Sequence, residues 1–457
     1  MDMIILGTPE RPLRVAVIGS GPSGFYAAAT LYKHSIKVKV DMFDRLPTPF
    51  GLVRYGVAPD HPKIKSVVKV YEKEAQRPDF AFFGNVTLGE DISIDELKRF
   101  YDAIIVATGA QTDRRLGVPG EDLPGSFAST EIVGWYNGHP DFQDLKVDLS
   151  HEVAVVFGQG NVAMDVCRIL LKTVDELKGT DITQNALDVL AASKIREVHC
   201  VGRRGPVQAA FTPVEIREFG ELANCAPVVN PDDLKINEAS QKELEDPILK
   251  KKFDILCELA KHDQTGKKRK FILHFCKSPV EIVGAGRVQS VILEKNELIG
   301  EPKAQKVRGT GVREKIPCGF VVRSVGQQGV PVKDLPFSQK EGVIPNIKGR
   351  VVDASKVYTG LYVAGWIKRG PTGIIGINKP DSEETVQSLM DDLPKLTACP
   401  QPSSEALKAF LESRGVRVVT FADWKKIDAA EIERGLKLGK PREKFIHTKG
   451  MLDALDE

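Results

Sequence analysis

One pattern constrains the fold of this chain more than any other, and it occurs twice: an apolar strand, a glycine-spaced turn and a helix. In the first copy, residues 15–18 are all apolar and lead into Gly19, Gly21 and Gly24. Such a run suits a strand buried on both faces of a parallel sheet. An alanine-rich helix follows, and then an apolar strand over 38–43 that ends at Asp44. Gly19 permits a tight turn, Gly21 lets backbone approach a pyrophosphate, and Gly24 allows close helix–strand packing. The free N–H groups of the helix start complete an anion cradle. Asp44 stands where a carboxylate accepts hydrogen bonds from a ribose hydroxyl.

The second copy, VAVVFGQGNVAMDVCRILL, places Gly158, Gly160 and Ala163 in the related GxGxxA spacing. After an insertion, the next strand, 196–201, ends at Gly202, Arg203 and Arg204. A guanidinium fork at a strand end favours a 2′-phosphate, where a carboxylate would repel it. The acid-ended cradle therefore predicts FAD and the arginine-ended cradle NADP(H). A chain holding both is most simply a flavoprotein that accepts hydride from NADPH.

Composition narrows the class. A chain of 457 residues has room for two or three domains, and a formal net charge of +2 gives no reason to expect nucleic acid. No run approaches the roughly 18 apolar residues of a membrane span, and the first residues lack a signal-peptide layout. The expectation is a cytoplasmic protein, or one of an organelle matrix, without membrane insertion. Seven scattered cysteines contain no CxxC pair. They read as buried thiols, and they leave no redox dithiol, iron–sulfur cluster or other metal site in this chain.

Strand–turn pieces at 101–115, 319–329 and 360–386 suggest that the chain returns beneath the first cradle after building the second. The predicted fold is α/β, with two Rossmann-like dinucleotide-binding domains, the NADP domain inserted into the FAD domain. The predicted division is an FAD domain of two segments, 1–114 and 327–396, around an NADP domain, 115–326. The crossovers 113–118 and 324–331 form the hinge. Residues 397–457 are a C-terminal extension that fits neither cradle, with one short strand expected at 416–424.

With these residues placed, the chain resembles the adrenodoxin reductase family of NADPH–ferredoxin reductases, in particular its bacterial members, over roughly residues 12–390. The resemblance rests on LPTPFGLVRYGVAPDHPKIK (46–65), VVFGQGNVAMDVCRILL, VGRRGPVQAAFTPVEIREF (201–219) and GWIKRGPTGIIGINKPD (365–381). It implies FAD contacts from Gly19, Gly21, Ser23, Gly24, Asp44, Leu52, Val86, Trp366, Gly373, Ile374 and Ile375. For NADP it implies Arg114, Gly158, Gln159, Gly160, Asn161, Arg203, Arg204 and Glu215, with Gly373 reaching both cofactors. His61, Glu218 and Asp165 match positions around the flavin–nicotinamide site, His61 as an orienting or proton-handling group. The implied activity is that of a ferredoxin–NADP(+) reductase: hydride from NADPH to the flavin, then two single-electron transfers to an iron–sulfur protein, in either direction. The implied partner is an acidic ferredoxin or adrenodoxin-like protein docking on a basic surface of a monomer. Candidate surface charges are Lys250 to Lys252, Lys267 to Lys270, Lys368 and Arg369. A glutamate synthase small-chain type would need N-terminal iron–sulfur cysteines, which are absent. A non-catalytic dinucleotide sensor would have no need of the TGIIG turn and Trp366.

Overall fold

The structure, a computed structural model, describes residues 5–263, 265–354 and 356–456. The first four residues of the N-terminal segment lie outside this range. Among the described residues two large sheets dominate. The first has the strand order Asn346–Ile347, Arg350–Asp353, Lys356–Val363, Ala103–Val106, Leu13–Ile18, Val38–Asp44 and Phe80–Gly84. Its five strands from Lys356–Val363 to Phe80–Gly84 pair in parallel, and an antiparallel hairpin closes one edge. The second sheet is parallel throughout: Ser126–Ala128, Phe320–Arg323, Val153–Phe157, Glu197–Val201, Arg269–His274 and Cys225–Val229.

The central strands are apolar because helices cover both their faces. LRVAVI at 13–18 is buried at every position, and AIIV at 103–106 likewise. The chain leaves the first sheet after residue 106, builds the second, and returns for residues 346–363. The two crossings pair with each other, Gln327 opposite Asp113 and Gln328 opposite Thr112. A three-stranded antiparallel sheet, Lys277–Val283, Ser290–Ile299 and Lys306–Pro317, flanks the second sheet.

The C-terminal extension is built into the body of the protein. Val419, Trp424, Ile427 and Met451 join the core beneath the first sheet, and Leu407 and Leu411 join the core on its other face. The strand expected at 416–424 is corrected. Val419 forms a single antiparallel bridge with Gly84, and helix Phe421–Lys437 begins two residues later. Thr420 stops the strand, because Thr420 and Asp423 form a reciprocal capping box that starts the helix. Near its end the extension also grips the unit of the second sheet. Lys444 lies 3.0 Å from Asp181, and Asp181 also accepts from Lys65 of the first unit at 2.7 Å. Burial pushes the Lys444 ammonium down to about 7, against the pull of Asp181.

Trp424 is 2% exposed, packs edge-on to Phe50 and lies under the Arg54 guanidinium. Replacing it (Trp424→Ala) is expected to cost about 3–5 kcal/mol in chemical denaturation. A loss below about 1 kcal/mol would show that the core does not depend on the extension.

Candidate functional site

Both cradles show the same division of labour among their glycines. Gly19 has φ +111°, and a Cβ there would come within 2.4 Å of the Ala107 carbonyl oxygen. Gly158 has φ +116°, and its Cβ would come within 2.0 Å of the Ser324 carbonyl oxygen. Only glycine fits these turns. At Gly21 and Gly160 a Cβ would meet nothing within 4 Å. Those two positions open onto space at the start of helices Pro22–Leu31 and Asn161–Leu171, where free N–H groups suit phosphate.

Around the first cradle, Asp44 accepts from the Ser20 amide at 3.2 Å, from the Ser20 hydroxyl and from the Leu46 amide at 3.0 Å. Burial raises the Asp44 pKa although these bonds oppose it. Val86 is buried beside this strand end, its amide bonded to the Asp44 carbonyl. Gly51 abuts Gly21, which sets Leu52, 39% exposed, next to the open glycine. The late segment closes on the same cradle. Ser23 donates to Asn378 at 3.1 Å, Ser382 donates to the Ser23 carbonyl at 3.0 Å, and Gly365 turns at φ +78° against the Ser23 side chain. Trp366, the exposed Gly373 and Ile374 and the half-buried Ile375 thus stand beside it, and the Trp366 indole nitrogen is buried with no hydrogen-bond partner among the described residues. An orphaned donor and an open glycine fit a bound group with ring acceptors and a pyrophosphate, as FAD has.

At the second cradle, the Gln159 side chain turns inward and donates to the His274 carbonyl at 3.0 Å, so only its backbone remains for a ligand. The Asn161 carboxamide accepts from the Thr212 amide at 3.0 Å, tying the cradle to helix Pro213–Glu221. Arg203 and Arg204 are exposed, and their side chains make no ion pair or hydrogen bond among the described residues. Two free guanidinium groups beyond a cradle fit the 2′-phosphate of NADP.

Between the cradles lies a polar cluster. His61 Nε2 stands 3.3 Å from both oxygens of Glu218, and Nδ1 stands 3.8 Å from Asp165. Fully buried Arg168 sits at the centre, hydrogen-bonded to Asp60, Asp165 and, at 3.4 Å, Glu215, and ion-paired with Glu218 at 3.0 Å. The bond to Glu218 raises the His61 pKa. Burial pushes Glu215 up to about 7, and the charge of Asp165 adds to it. Glu218 is lowered despite its burial, by His61 and Arg168. Atoms of His61, Glu215 and Glu218 come within 4.8 Å of one another, but Arg168 already occupies the carboxylates. The sequence reading found His61, Asp165, Glu215 and Glu218. It missed Asp60 and Arg168, whose pairing spans 108 positions; the adjacency of Asp60 to His61 was the only local signal.

Arg114 lies at the crossing, its guanidinium on the Glu341 carbonyl. Two of the proposed surface lysines are corrected. Lys252 is 3% exposed and bonds the Ala209 carbonyl; Lys368 is 7% exposed and pairs with Asp381 and Glu384. Each fills a buried acceptor instead of projecting charge. Lys250 and Lys270 are exposed but paired, with Asp254 and Glu197. The seven cysteines are free; five are buried and Cys257 and Cys276 partly so.

Comparison with known proteins gives a consistent result. The family model for pyridine nucleotide-disulphide oxidoreductases matches residues 13–204. The curated NADPH-ferredoxin reductase FprA of Mycobacterium tuberculosis is 45% identical over 454 residues, covering 97% of this chain and 99% of that protein. The human mitochondrial NADPH:adrenodoxin oxidoreductase is 43% identical, covering 98% of this chain and 93% of that protein. The solved structure of M. tuberculosis FprA in complex with NADPH superposes with a TM-score of 0.93 at 44% identity, over 98% of this chain and all of that one. The likeness thus runs on through the C-terminal extension, beyond the span read from motifs.

Two outcomes are expected. Gly160→Val should leave the melting temperature within about 2 °C but weaken dinucleotide binding at least about tenfold by equilibrium titration, because the added carbons enter only the ligand's space. Folded Glu215 keeps its proton up to about 7, whereas its ordinary value is 4.5. Its contribution to stability therefore falls as pH rises through that window. Glu215→Gln should flatten this slope in urea unfolding measured from about pH 4.5 to about 7.

Proposed function

This chain belongs to the family of NADPH–ferredoxin and NADPH:adrenodoxin reductases, and from that membership we infer that it is an FAD-dependent oxidoreductase carrying electrons from NADPH to a ferredoxin-type iron–sulfur protein. The observation that supports this reading best is the pairing of two unlike cradles, one ending on Asp44 and one on the exposed Arg203 and Arg204, with His61 of the first unit bonded to Glu218 of the second. When bound, the flavin supplies the conversion of a two-electron hydride into single electrons.

The chain's own residues bind and orient. Gly19, Gly21, Ser23 and Gly24 hold the FAD pyrophosphate on helix Pro22–Leu31, Asp44 and Val86 take the adenosine end, and Leu52, Trp366, Gly373, Ile374 and Ile375 frame the ring system. Backbone of residues 158–161 holds the NADP pyrophosphate, Arg203 and Arg204 clamp the 2′-phosphate, and Arg114 and Glu215 stand toward the nicotinamide end. His61, Glu218 and Asp165 form the proton-handling group between the cofactors. The FAD-binding unit comprises 1–114 and 327–396, the NADP-binding unit 115–326, and 397–457 is a strap across both.

Finer features complete the proposal: a ferredoxin–NADP(+) reductase working in either direction, as a cytoplasmic monomer, on an acidic partner drawn to a basic surface. Charge complementarity of that kind makes association salt-dependent. Among the described residues there is no helix long and apolar enough to cross a membrane.

The test is an anaerobic visible titration of the FAD-loaded protein. About one equivalent of NADPH should bleach the flavin and NADH should act poorly. Arg203→Ala with Arg204→Ala should lower kcat/KM for NADPH about a hundredfold, from roughly 1.5 kcal/mol per charge-assisted bond, while sparing NADH. A flavin that NADPH does not reduce would overturn the reading.

A further inference from the structure

Arg168 is buried where it touches neither cradle directly, yet it joins the two units. Its guanidinium is surrounded by four acidic side chains. Nε and Nη2 fork onto both oxygens of Asp60 at 2.8 and 3.0 Å. Nη2 also reaches Asp165 at 2.7 Å, and Nη1 lies 3.0 Å from Glu218 and 3.4 Å from Glu215. Three separate pieces of chain supply these groups. Asp60 and His61 lie in the turn before the short helix Pro62–Lys65 of the first unit; Asp165 and Arg168 lie on the helix that begins at the second cradle; Glu215 and Glu218 lie on helix Pro213–Glu221.

We propose that Arg168 is a positioning residue for electron transfer between the two dinucleotides: its fork on Asp60 fixes the His61 turn against the helix of the second cradle, and its ion pair with Glu218 holds that carboxylate beside His61. The inference rests on the reading of the cradles as FAD and NADPH sites. It assigns the transfer distance to a bidentate ion pair, because the cradles sit on different sheets and this pair is the contact between the units that lies beside His61 and Glu218. Planar guanidinium suits the task, since a fork fixes both distance and direction where an ammonium fixes only distance.

Charges of both signs crowd around the fork: Asp60, Asp165 and Glu218 face Arg168 and Lys172, with Lys172 2.8 Å from Asp60, and His61 lies beside Glu218. Burial, with the charge of Asp165, pushes Glu215 up to about 7. The Tyr136 hydroxyl, buried beside Asp165, Arg168 and Asp60, is the other titratable group facing the cluster. Geometry and charge therefore meet at the same hub.

The test compares Arg168→Lys, which keeps the charge and removes the fork from the guanidinium side, with Asp60→Asn, which removes one negative charge and leaves the fork a single acceptor. Four quantities are measured: FAD content, the NADP+ dissociation constant, the limiting rate of flavin reduction at saturating NADPH, and the His61 imidazole titration followed by NMR. Both variants should retain FAD and bind NADP+ within about threefold of the parent, since the cradles are untouched. Both should lose about ten- to a hundredfold in the limiting rate, the scale of a displaced reacting pair. Asp60→Asn should also shift the His61 titration to lower pH, because a neighbouring negative charge is gone. Wild-type limiting rates with an unmoved His61 titration would overturn the proposal, and so would a rate loss matched by an equal loss of NADP+ affinity. If Arg168→Lys does not fold, Asp60→Asn alone decides. Failure of NADPH to reduce the parent protein would instead overturn the underlying reading.

Discussion

Close backbone contact at two glycines organises this molecule. Gly19 lies against the carbonyl that follows strand Ala103–Val106, and Gly158 lies against the carbonyl that follows strand Phe320–Arg323. Each contact brings the carboxyl ends of neighbouring parallel strands within reach of one helix N-terminus. In open α/β sheets ligands gather at that edge, because free N–H groups and strand-end side chains converge there. The chain builds this edge twice and differentiates the copies by what stands at the second strand end, a carboxylate in one and two guanidinium groups in the other.

The space between the copies is held by charge. Asp60, Arg168, Glu218 and His61 connect the units on one side, Lys65, Asp181 and Lys444 on another, and Arg45 with Asp141 at a more exposed point. Buried ion pairs are weak contributors to stability, since desolvation offsets much of their attraction. They are strict about geometry, however, and a reductase that must bring two cofactors into register depends on geometry. Isolated surface pairs such as Lys178 with Asp175 carry no such constraint.

The C-terminal extension follows the same logic from the outside. Its apolar residues, Trp424 and Ile427 among them, complete the core of the first unit. Its basic end, Lys440 and Lys444, bonds into residues 181–182 of the second. A segment anchored in one unit by burial and in the other by hydrogen bonds limits how far the two can separate.

The sequence alone determined what is local. Glycine spacing, apolar strands, the position of Asp44 and the arginines at 203 and 204 are written within short windows, because turns, helix starts and strand ends are set by neighbouring residues. The two cradles and their unlike ligands were legible for that reason, whereas His61, Asp165 and Glu218 came only from the family resemblance. The identity of the groups joining the cradles was decided only in three dimensions. Asp60 and Arg168 look like ordinary charged residues in sequence, Lys252 and Lys368 look like surface charge yet are buried, and 416–424 looks like a strand until its capping box starts a helix. Each of these depends on partners far away in the chain. Only packing brings such partners together, and burial then fixes which charges are free and which are committed.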